Sequence, residues 1–287
     1  MDRCLTILYR GPLSSCNYGC DYCPFAKHHE TAAELALDRQ QLERFVDWVT
    51  TRTDQRCDIF FTPWGEALTR RWYREAMVRL SWQPHVRRVA VQTNLSADLQ
   101  WLEKSERERI GLWCTYHPGE VTHAKFLDQC AQLQQLSIRF SVGVVGLREH
   151  AAEIAALRAA LDRSIYVWIN AYKREANYYR PEEIEQFVAI DPLFRINNTR
   201  HASLGQSCRT GETVIAVDGA GDVRRCHFVP TIIGNIYEPD FEACLQPRTC
   251  PNATCGCHIG YVHLPHLALD EVFREGILER IPAPREA

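Results

Sequence analysis

The sequence of 287 residues has no long run of apolar residues and no long run of basic ones. A helix needs about 20 apolar residues to cross a bilayer, so the sequence predicts no membrane-spanning segment. A net charge of −3 gives no electrostatic reason to expect nucleic acid or a membrane surface as a partner. The first residues also lack the apolar stretch of a secretory signal, and we therefore expect a cytoplasmic protein.

Internal repeats and low-complexity linkers are also absent, and the apolar share of 46% is that of an ordinary globular protein. The length suits one large domain, or one domain with a smaller appendage. Cysteine, in contrast, is abundant, with 13 residues. Disulfide frameworks belong mainly to small secreted domains, so clustered cysteines in a reducing compartment indicate metal binding or chemistry instead.

The first two thirds of the chain alternate between strand-like and helix-like segments. Each strand-like segment is short and nearly continuously apolar, which is typical of strands covered on both faces. These predicted strands are Cys4–Tyr9, Cys57–Thr62, Arg88–Thr93, Gly111–Thr115, Ile138–Val145 and Tyr166–Ala171. Strands separated by helices predict an α/β fold with a parallel sheet, which right-handed crossovers would curl into part of a barrel.

Helical periodicity separates these strands. Apolar residues from Leu42 to Val49 recur at helical spacing, with Asp38 placed to cap the helix, and a second helix follows Thr122. After about residue 195, cysteine, glycine and proline become frequent. A hairpin is predicted at Thr213–His227 and an amphipathic helix at Leu269–Ile281. We therefore expect a core domain over 1–195 and a smaller C-terminal domain over 196–287.

Cys16, Cys20 and Cys23 form a CxxxCxxC motif directly after the first predicted strand. Three thiolates on one loop can bind three irons of a [4Fe–4S] cube and leave the fourth iron open. The same spacing would also place three buried cysteines on one helical face, but the polar, glycine-containing spacers and the following proline argue against a helix. A zinc site would need a fourth ligand, such as His28 or His29.

The cysteine motif, with aromatic Tyr22 before its last cysteine, resembles the signature of radical S-adenosylmethionine (SAM) enzymes. The resemblance implies a partial (β/α)6 barrel, similar to a TIM barrel, and a [4Fe–4S] cluster on Cys16, Cys20 and Cys23. In that family the cluster cleaves SAM to a 5′-deoxyadenosyl radical, which abstracts hydrogen from the substrate. The same resemblance places Tyr22 near the adenine.

Residues after the later strands extend the resemblance. Gly65 and Glu66 match the end of the family's Gly-Gly-Glu segment, which binds the ammonium group of SAM, although Trp64 replaces the first glycine. A charge-assisted bond from that ammonium to Glu66 is physically sensible, but a glutamate is also favoured where a helix begins. Weaker matches at the ends of later strands are Asn94, followed by Leu95 instead of glycine, and Thr115, Asn170 and Lys173. Each of these could equally be a capping or loop residue.

The cysteines of the C-terminal third resemble those of the SPASM and twitch domains, which hold an auxiliary cluster in many radical SAM enzymes. Cys208 and Cys226 bracket the predicted hairpin, and the spacing implies one further [4Fe–4S] cluster. The implied ligands are Cys208, Cys226, Cys250 and one of Cys255 or Cys257, with Cys244 a weaker candidate. A structural zinc site of four cysteines is the alternative.

The resemblance implies a SAM-dependent radical enzyme that acts on a peptide or a small molecule and receives electrons from a reductant such as flavodoxin or ferredoxin. Oxidative modification of the substrate is the first expectation, and a redox-neutral rearrangement or epimerisation is the second. A zinc- or cluster-binding regulator would be the non-enzyme alternative, but no basic surface or DNA-binding motif supports it. We also expect the cysteine-rich tail to pack over the C-terminal mouth of the barrel.

Overall fold

Residues 4–25 and 28–284 are described by a computed structural model. A nine-stranded sheet forms its centre, with the order β11-β10-β9-β1-β2-β3-β4-β5-β6. The first six strands are parallel and follow one another in chain order. They are β1 (Leu5–Arg10), β2 (Cys57–Phe61), β3 (Val86–Thr93), β4 (Ile110–Tyr116), β5 (Arg139–Gly146) and β6 (Val167–Ala171). The predicted α/β class and all six strands are thereby confirmed.

Helices cover one face of these parallel strands. They are α1 (Ala32–Thr51), α2 (Arg71–Ser81), α3 (His123–Gln135), α4 (Ala151–Ala160), α5 (Pro181–Ile190) and α6 (Phe194–Asn197). Only two short 3₁₀ turns, Gln100–Lys104 and Arg107–Arg109, connect β3 to β4. No helix among the described residues is long and apolar enough to cross a membrane.

The first helix begins earlier than the sequence predicted. Thr31 is its N-cap and forms a capping box with Glu34. Asp38, which was predicted to cap the helix, lies inside it and is fully buried. The Asp38 carboxylate accepts hydrogen bonds from Trp72 and Tyr73 instead, so it joins α1 to α2.

The face of the sheet opposite the helices, called here the inner face, is concave. Phe60 on β2 stacks on Trp113 of β4 with ring centroids 5.7 Å apart, and Trp113 meets Trp168 of β6 at 5.2 Å. A Cβ at Gly143, on the strand between them, would lie 2.0 Å from the Trp168 ring. Large side chains on alternate strands and a small one between them are typical of barrel interiors. The sheet is curved but open, because β6 and β11 are its edges.

The C-terminal third continues the same sheet. After two short strands, β7 (His201–Ala202) and β8 (Ser207–Cys208), the predicted hairpin forms from β9 (Val214–Asp218) and β10 (Asp222–Arg224), and β11 (Ile232–Asn235) follows. Since β9 pairs in parallel with β1, the two predicted domains share one sheet. The remaining elements are β12 (Arg248–Thr249), β13 (Thr254–Cys255), α7 (His258–Tyr261) and α8 (Leu269–Phe273).

The predicted helix over Leu269–Ile281 is wrong beyond Phe273. Arg274 has a φ of 46°, which ends the helix, and a Cβ at Gly276 would lie 2.1 Å from the carbonyl oxygen of Ile281. The chain therefore turns back on itself, and residues 277–281 form a turn segment, called here the strap, against the inner face. Leu278 packs there with Trp113 and Trp168.

Glu279 anchors the strap with a buried ion pair. Its carboxylate lies 3.0 Å from Nε of Arg88 and 3.5 Å from Nε of Arg139, and its side chain is fully buried. A Cβ at Gly111 would lie 2.3 Å from the Glu279 side chain, so only glycine fits beneath it. The strap thereby fixes arginines of β3 and β5 to one carboxylate.

Glu279→Gln should therefore destabilise the protein by about 3–5 kcal/mol, because it leaves buried Arg88 and half-exposed Arg139 without their counter-ion. Denaturant unfolding of the apo-protein measures this free energy. Glu271→Gln, at an exposed position of α8, is the matched control and should change it by less than about 0.5 kcal/mol. A wild-type unfolding midpoint in Glu279→Gln would show that the ion pair does not hold the strap.

Candidate active site

The segment carrying Cys16, Cys20 and Cys23 is a loop at the carboxyl end of β1, as predicted. No helix forms in it, and Cys23 N–H donates to the carbonyl of Cys20 at 3.0 Å in a turn. Cys20 is buried, Cys16 and Cys23 are half-buried, and none of the three forms a disulfide. Active sites of parallel α/β barrels lie at this edge of the sheet.

Glu30 fixes the start of the cysteine loop. Its carboxylate accepts hydrogen bonds from the backbone of Ser14 and, at 2.7 Å, from that of Ser15. Arg70 on the other side donates to the Ser15 hydroxyl at 2.7 Å. Burial alone would raise the pKa of Glu30, but the bonds from Ser15 and Ser14 outweigh it and lower the pKa to about 2.

The segment after β2 lies directly against the cysteine loop. Trp64 and Gly65 donate backbone hydrogen bonds to the carbonyl of Leu13, and Glu66 donates to that of Ser15 at 3.0 Å. A Cβ at Gly65 would lie 1.9 Å from the Ser15 oxygen, so no other residue allows this contact. The glycine of the predicted motif thus brings two backbones together.

Trp64 shows why the first glycine of the family motif is dispensable in this chain. Its side chain points outward and is 40% exposed. The Arg10 guanidinium lies 4.0 Å above the Trp64 ring, and the ring of Phe25 is 4.5 Å away. The position therefore has room for a large side chain, which forms an exposed aromatic pair beside the cysteine loop.

The carboxylate of Glu66 lies at the carboxyl ends of β2 and β3 and is buried. It accepts hydrogen bonds from Leu68 N–H at 3.0 Å, from the Thr93 hydroxyl at 2.9 Å and from Asn94 N–H at 2.6 Å. Burial raises its pKa, against these hydrogen bonds. A carboxylate has about four acceptor directions, so one remains for a further donor.

Asn94 connects this carboxylate to the cysteine loop. Its side-chain amide donates to Asn17 at 3.0 Å and lies 3.6 Å from the Cys16 sulfur. Leu95, where the family has glycine, adopts a φ of 57°, the left-handed region that glycine favours. The structure thus brings Cys16, Glu66 and Asn94 together, although they are far apart in the sequence.

His117, which the sequence analysis did not select, lies on the other side of the loop. Its Nδ1 is 2.8 Å from the Tyr22 hydroxyl and 3.4 Å from the Cys20 sulfur. Burial lowers the pKa of His117 to about 4, so the ring is neutral at pH 7. The only sequence signal was its place just after β4. Thr115, two residues earlier, is half-buried on β4.

The two histidines considered as zinc ligands face elsewhere. His28 Nε2 lies 3.5 Å from Glu34 of α1, and His29 is exposed. Across residues 4–25 and 28–284, no three His, Cys, Asp or Glu side chains are placed to hold one metal ion. The thiols of a cube need not converge in that way, because each binds a different iron.

A second group of thiols consists of Cys208, Cys226, Cys250 and Cys255. The pKa of Cys226 is raised by burial and, less strongly, by Cys208 and Cys250. The pKa of Cys255 is raised to about 12 by burial, with smaller contributions from Cys257, Cys226 and Cys250. Backbone bonds between 205–206 and Cys250, together with the β8–β12 pair, hold the group in place.

The two remaining candidate cysteines differ in their surroundings. Cys244 lies beside Gly234: a Cβ added to Gly234 would be 3.0 Å from the Cys244 sulfur. No other thiol is among the causes of the shift in the pKa of Cys244. Cys257 is exposed, and its sulfur faces the positive charges of Lys173, Arg10 and Arg280. The structure thus separates Cys244 from the second group and turns Cys257 toward the inner face.

The cysteine-rich tail contacts the carboxyl ends of the strands, as expected. His227 Nε2 lies 3.0 Å from the Thr62 hydroxyl just after β2, and Lys173 after β6 donates to the carbonyl of Gly256 at 2.5 Å. Asn170, the last inner-face residue of β6, remains exposed beside them. The neighbours of Cys226 and Cys255 in the chain therefore contact the carboxyl ends of β2 and β6.

Comparison with known proteins gives no match to a family model and none to a curated protein sequence. Solved structures do match. The chain is similar to anSMEcpe with bound AdoMet (SAM) and the Kp18Cys peptide, with a TM-score of 0.56 and 15% identity over 85% of this chain and 81% of that one. The chain has the radical SAM fold.

Two further structures resemble this radical SAM fold. The form of anSMEcpe with AdoMet and the Cp18Cys peptide gives a TM-score of 0.53 at 15% identity, over 84% of this chain and 82% of that chain. BtrN in complex with AdoMet and 2-DOIA is 18% identical over 85% of this chain and 88% of that one, with a TM-score of only 0.40. The two anSMEcpe structures thus support the expected fold at low sequence identity.

The anchoring of the cysteine loop predicts a pH dependence. The folded pKa of Glu30, about 2, lies below its ordinary value of 4.5. Its stabilisation is therefore complete above the ordinary pKa and is lost as the pH falls toward 2. Glu30→Gln should lower the free energy of unfolding of the apo-protein at pH 7 by about 1–3 kcal/mol. The difference from wild type should narrow below about pH 4.5, measured by denaturant titration at several pH values.

Glu43→Gln is the matched control, because Glu43 pairs with Arg39 on the exposed surface of α1. That variant should change the free energy of unfolding by less than about 0.5 kcal/mol. A Glu30→Gln deficit that stays constant between pH 7 and 3 would mean that the ionised carboxylate does not anchor the loop.

Proposed function

We propose that the protein is a radical SAM enzyme, with a [4Fe–4S] cluster on Cys16, Cys20 and Cys23. The observation that carries this is the contact of the cysteine loop with the ends of β2 and β3, through Gly65 and Asn94. Three thiols, a glycine-dependent backbone contact and a buried carboxylate meet at the carboxyl edge of a parallel sheet. The chain has the fold in which this combination is expected.

The bound cluster would supply the electron that cleaves SAM to methionine and a 5′-deoxyadenosyl radical. The chain's own residues would bind SAM and orient the cluster's ligands. The free acceptor direction of Glu66 suits the SAM ammonium, since a carboxylate–ammonium bond is charge-assisted. Asn94 orients Cys16, and Tyr22 with His117 forms an aromatic wall at Cys20. Thr115 and Asn170 on the inner face would lie toward the cofactor or substrate.

We further propose an auxiliary [4Fe–4S] cluster on Cys208, Cys226, Cys250 and Cys255. The effects of Cys250 on the pKa values of Cys226 and Cys255, and of Cys226 on that of Cys255, support this ligand set. Cys255 is preferred to Cys257 as the fourth ligand because Cys257 faces three cations on the inner side. A cluster there could accept an electron from a substrate radical, which supports an oxidative modification.

The substrate would be a peptide or a small molecule, with a flavodoxin or ferredoxin as the reductant. A peptide is supported by the likeness to anSMEcpe, which was solved with bound peptides. The exposed pair of Phe25 and Trp64 beside the cysteine loop gives such a chain an apolar surface to contact. The tail contacts at Thr62 and Gly256 would help to exclude water from the site.

The direct test is SAM cleavage under anaerobic reduction. The reconstituted protein should form 5′-deoxyadenosine, detected by liquid chromatography, and Cys16→Ala should reduce this to background. Cys244→Ala is the matched control, since that thiol lies outside both groups, and it should retain wild-type cleavage. Wild-type cleavage in Cys16→Ala, or none in the reconstituted wild-type protein, would contradict the proposal.

The auxiliary site is tested by iron content. Wild-type protein should hold about eight irons, in two cubes of four. Cys255→Ala should hold about four, and Cys257→Ala should keep about eight. The reverse result would make Cys257 the fourth ligand, and zinc in place of the second set of irons would show a structural zinc site.

A further inference from the structure

Arg280 is a buried arginine without a counter-ion. Its residue is 1% exposed, and its Nε and Nη1 have no hydrogen-bond partner. The residue has a φ of 55°, in the left-handed region that a non-glycine residue rarely adopts. A strained backbone at a buried, unpaired charge is the kind of feature found at functional sites.

Among the described residues, this guanidinium lies against two aromatic rings. Its carbon lies 4.6 Å from the ring centre of Trp168 and 5.5 Å from that of Trp113. These contacts hold the cation against the inner face of the sheet. Cation–π attraction stabilises the guanidinium by less than burial of an unpaired charge costs.

Two buried carboxylates, those of Glu279 and Asp191, already have other partners. Glu279, the neighbour of Arg280 in the strap, pairs with Arg88 and Arg139. Asp191 accepts hydrogen bonds from the Tyr166 hydroxyl and from two backbone N–H groups, at 2.9 and 3.0 Å. Among the described residues, no acidic side chain forms an ion pair with Arg280.

Further positive charge surrounds the same space. Cys257 is exposed there and faces Arg10, Lys173 and Arg280 together. Burial lowers the pKa of Lys173 to about 8 and that of Arg10 to about 10, with Arg280 adding to the effect on Lys173. Lys173 donates to the backbone carbonyls of Asn197 and Gly256 and forms no ion pair with an acidic side chain in the described part of the chain.

We propose that Arg280, assisted by Lys173 and Arg10, binds an oxyanion of the substrate, a carboxylate or phosphate group, in the space above the inner face. A fork of unpaired N–H donors fits two oxygens of such a group. Several cations in a cavity with low-dielectric walls attract an anion strongly. The bound group would fix the substrate relative to the cysteine loop, so the inference deepens the proposed function by assigning the substrate class.

Isothermal titration of the anaerobically reconstituted protein with inorganic phosphate, at constant ionic strength in chloride, tests the site. Wild type should bind phosphate, and Arg280→Met should bind it at least about tenfold more weakly, because one charge-assisted bond is worth about that factor. Arg280→Lys keeps the charge and should therefore lose less phosphate affinity than Arg280→Met. Arg163→Met, at an exposed position, is the matched control and should bind as wild type.

Titration with SAM and with 5′-methylthioadenosine, which lacks the amino-acid group, separates the two sources of a carboxylate. Unchanged SAM affinity in Arg280→Met assigns the oxyanion to the substrate. If Arg280→Met loses affinity for SAM but not for 5′-methylthioadenosine, the oxyanion belongs to the cofactor, and the substrate assignment is overturned. No phosphate binding by wild type, or equal binding by Arg280→Met and wild type, overturns the site. Because neither titration requires SAM cleavage, these results are independent of whether the proposed function holds.

Discussion

The close contact between Ser15 and Gly65 is the constraint on which the rest of the site depends. It requires a residue without a side chain, because any Cβ would lie 1.9 Å from the Ser15 oxygen. The same contact sets Glu66 at the ends of β2 and β3 and presents the cysteine loop to Asn94. A larger residue at 65 would therefore displace the thiols and the carboxylate together, although it touches neither.

The C-terminal third covers the inner face with the strap and contacts the carboxyl ends of its strands with the tail. Six parallel strands with helices on one side leave an apolar concave face that needs a cover. The strap covers it with Leu278 and locks it with Glu279, while the tail reaches the carboxyl ends of the strands through His227 and Gly256. The positive charges of Arg280, Lys173 and Arg10 face the thiol of Cys257 there, an arrangement that suits a polar ligand better than a packed core.

The sequence predicted the sheet well because each parallel strand is buried on both faces and is thus continuously apolar. The two errors concern where the first helix begins and where the last helix ends. Asp38 has the chemistry of an N-cap, but Thr31 with Glu34 forms a better one and leaves Asp38 to join two helices. The last helix ends before Arg274, because the chain turns there and then packs against the inner face.

The site could be predicted only where residues form a local motif. Cys16, Cys20, Cys23 and Gly65 belong to such motifs, and the structure gives each a position at the sheet edge. His117 and Arg280 have no motif, since their roles depend on strands and a strap that meet only in the folded chain. The choice between Cys255 and Cys257 likewise depends on which way each thiol faces.

The central claim is that the cluster held by the cysteine loop has an open iron that SAM reaches. Electron paramagnetic resonance of the anaerobically reduced protein, recorded with and without SAM, tests this most directly. We predict an iron–sulfur signal that changes in shape and g-values when SAM is added. An iron–sulfur signal unaffected by saturating SAM, or the absence of any such signal in protein that holds zinc, would contradict it.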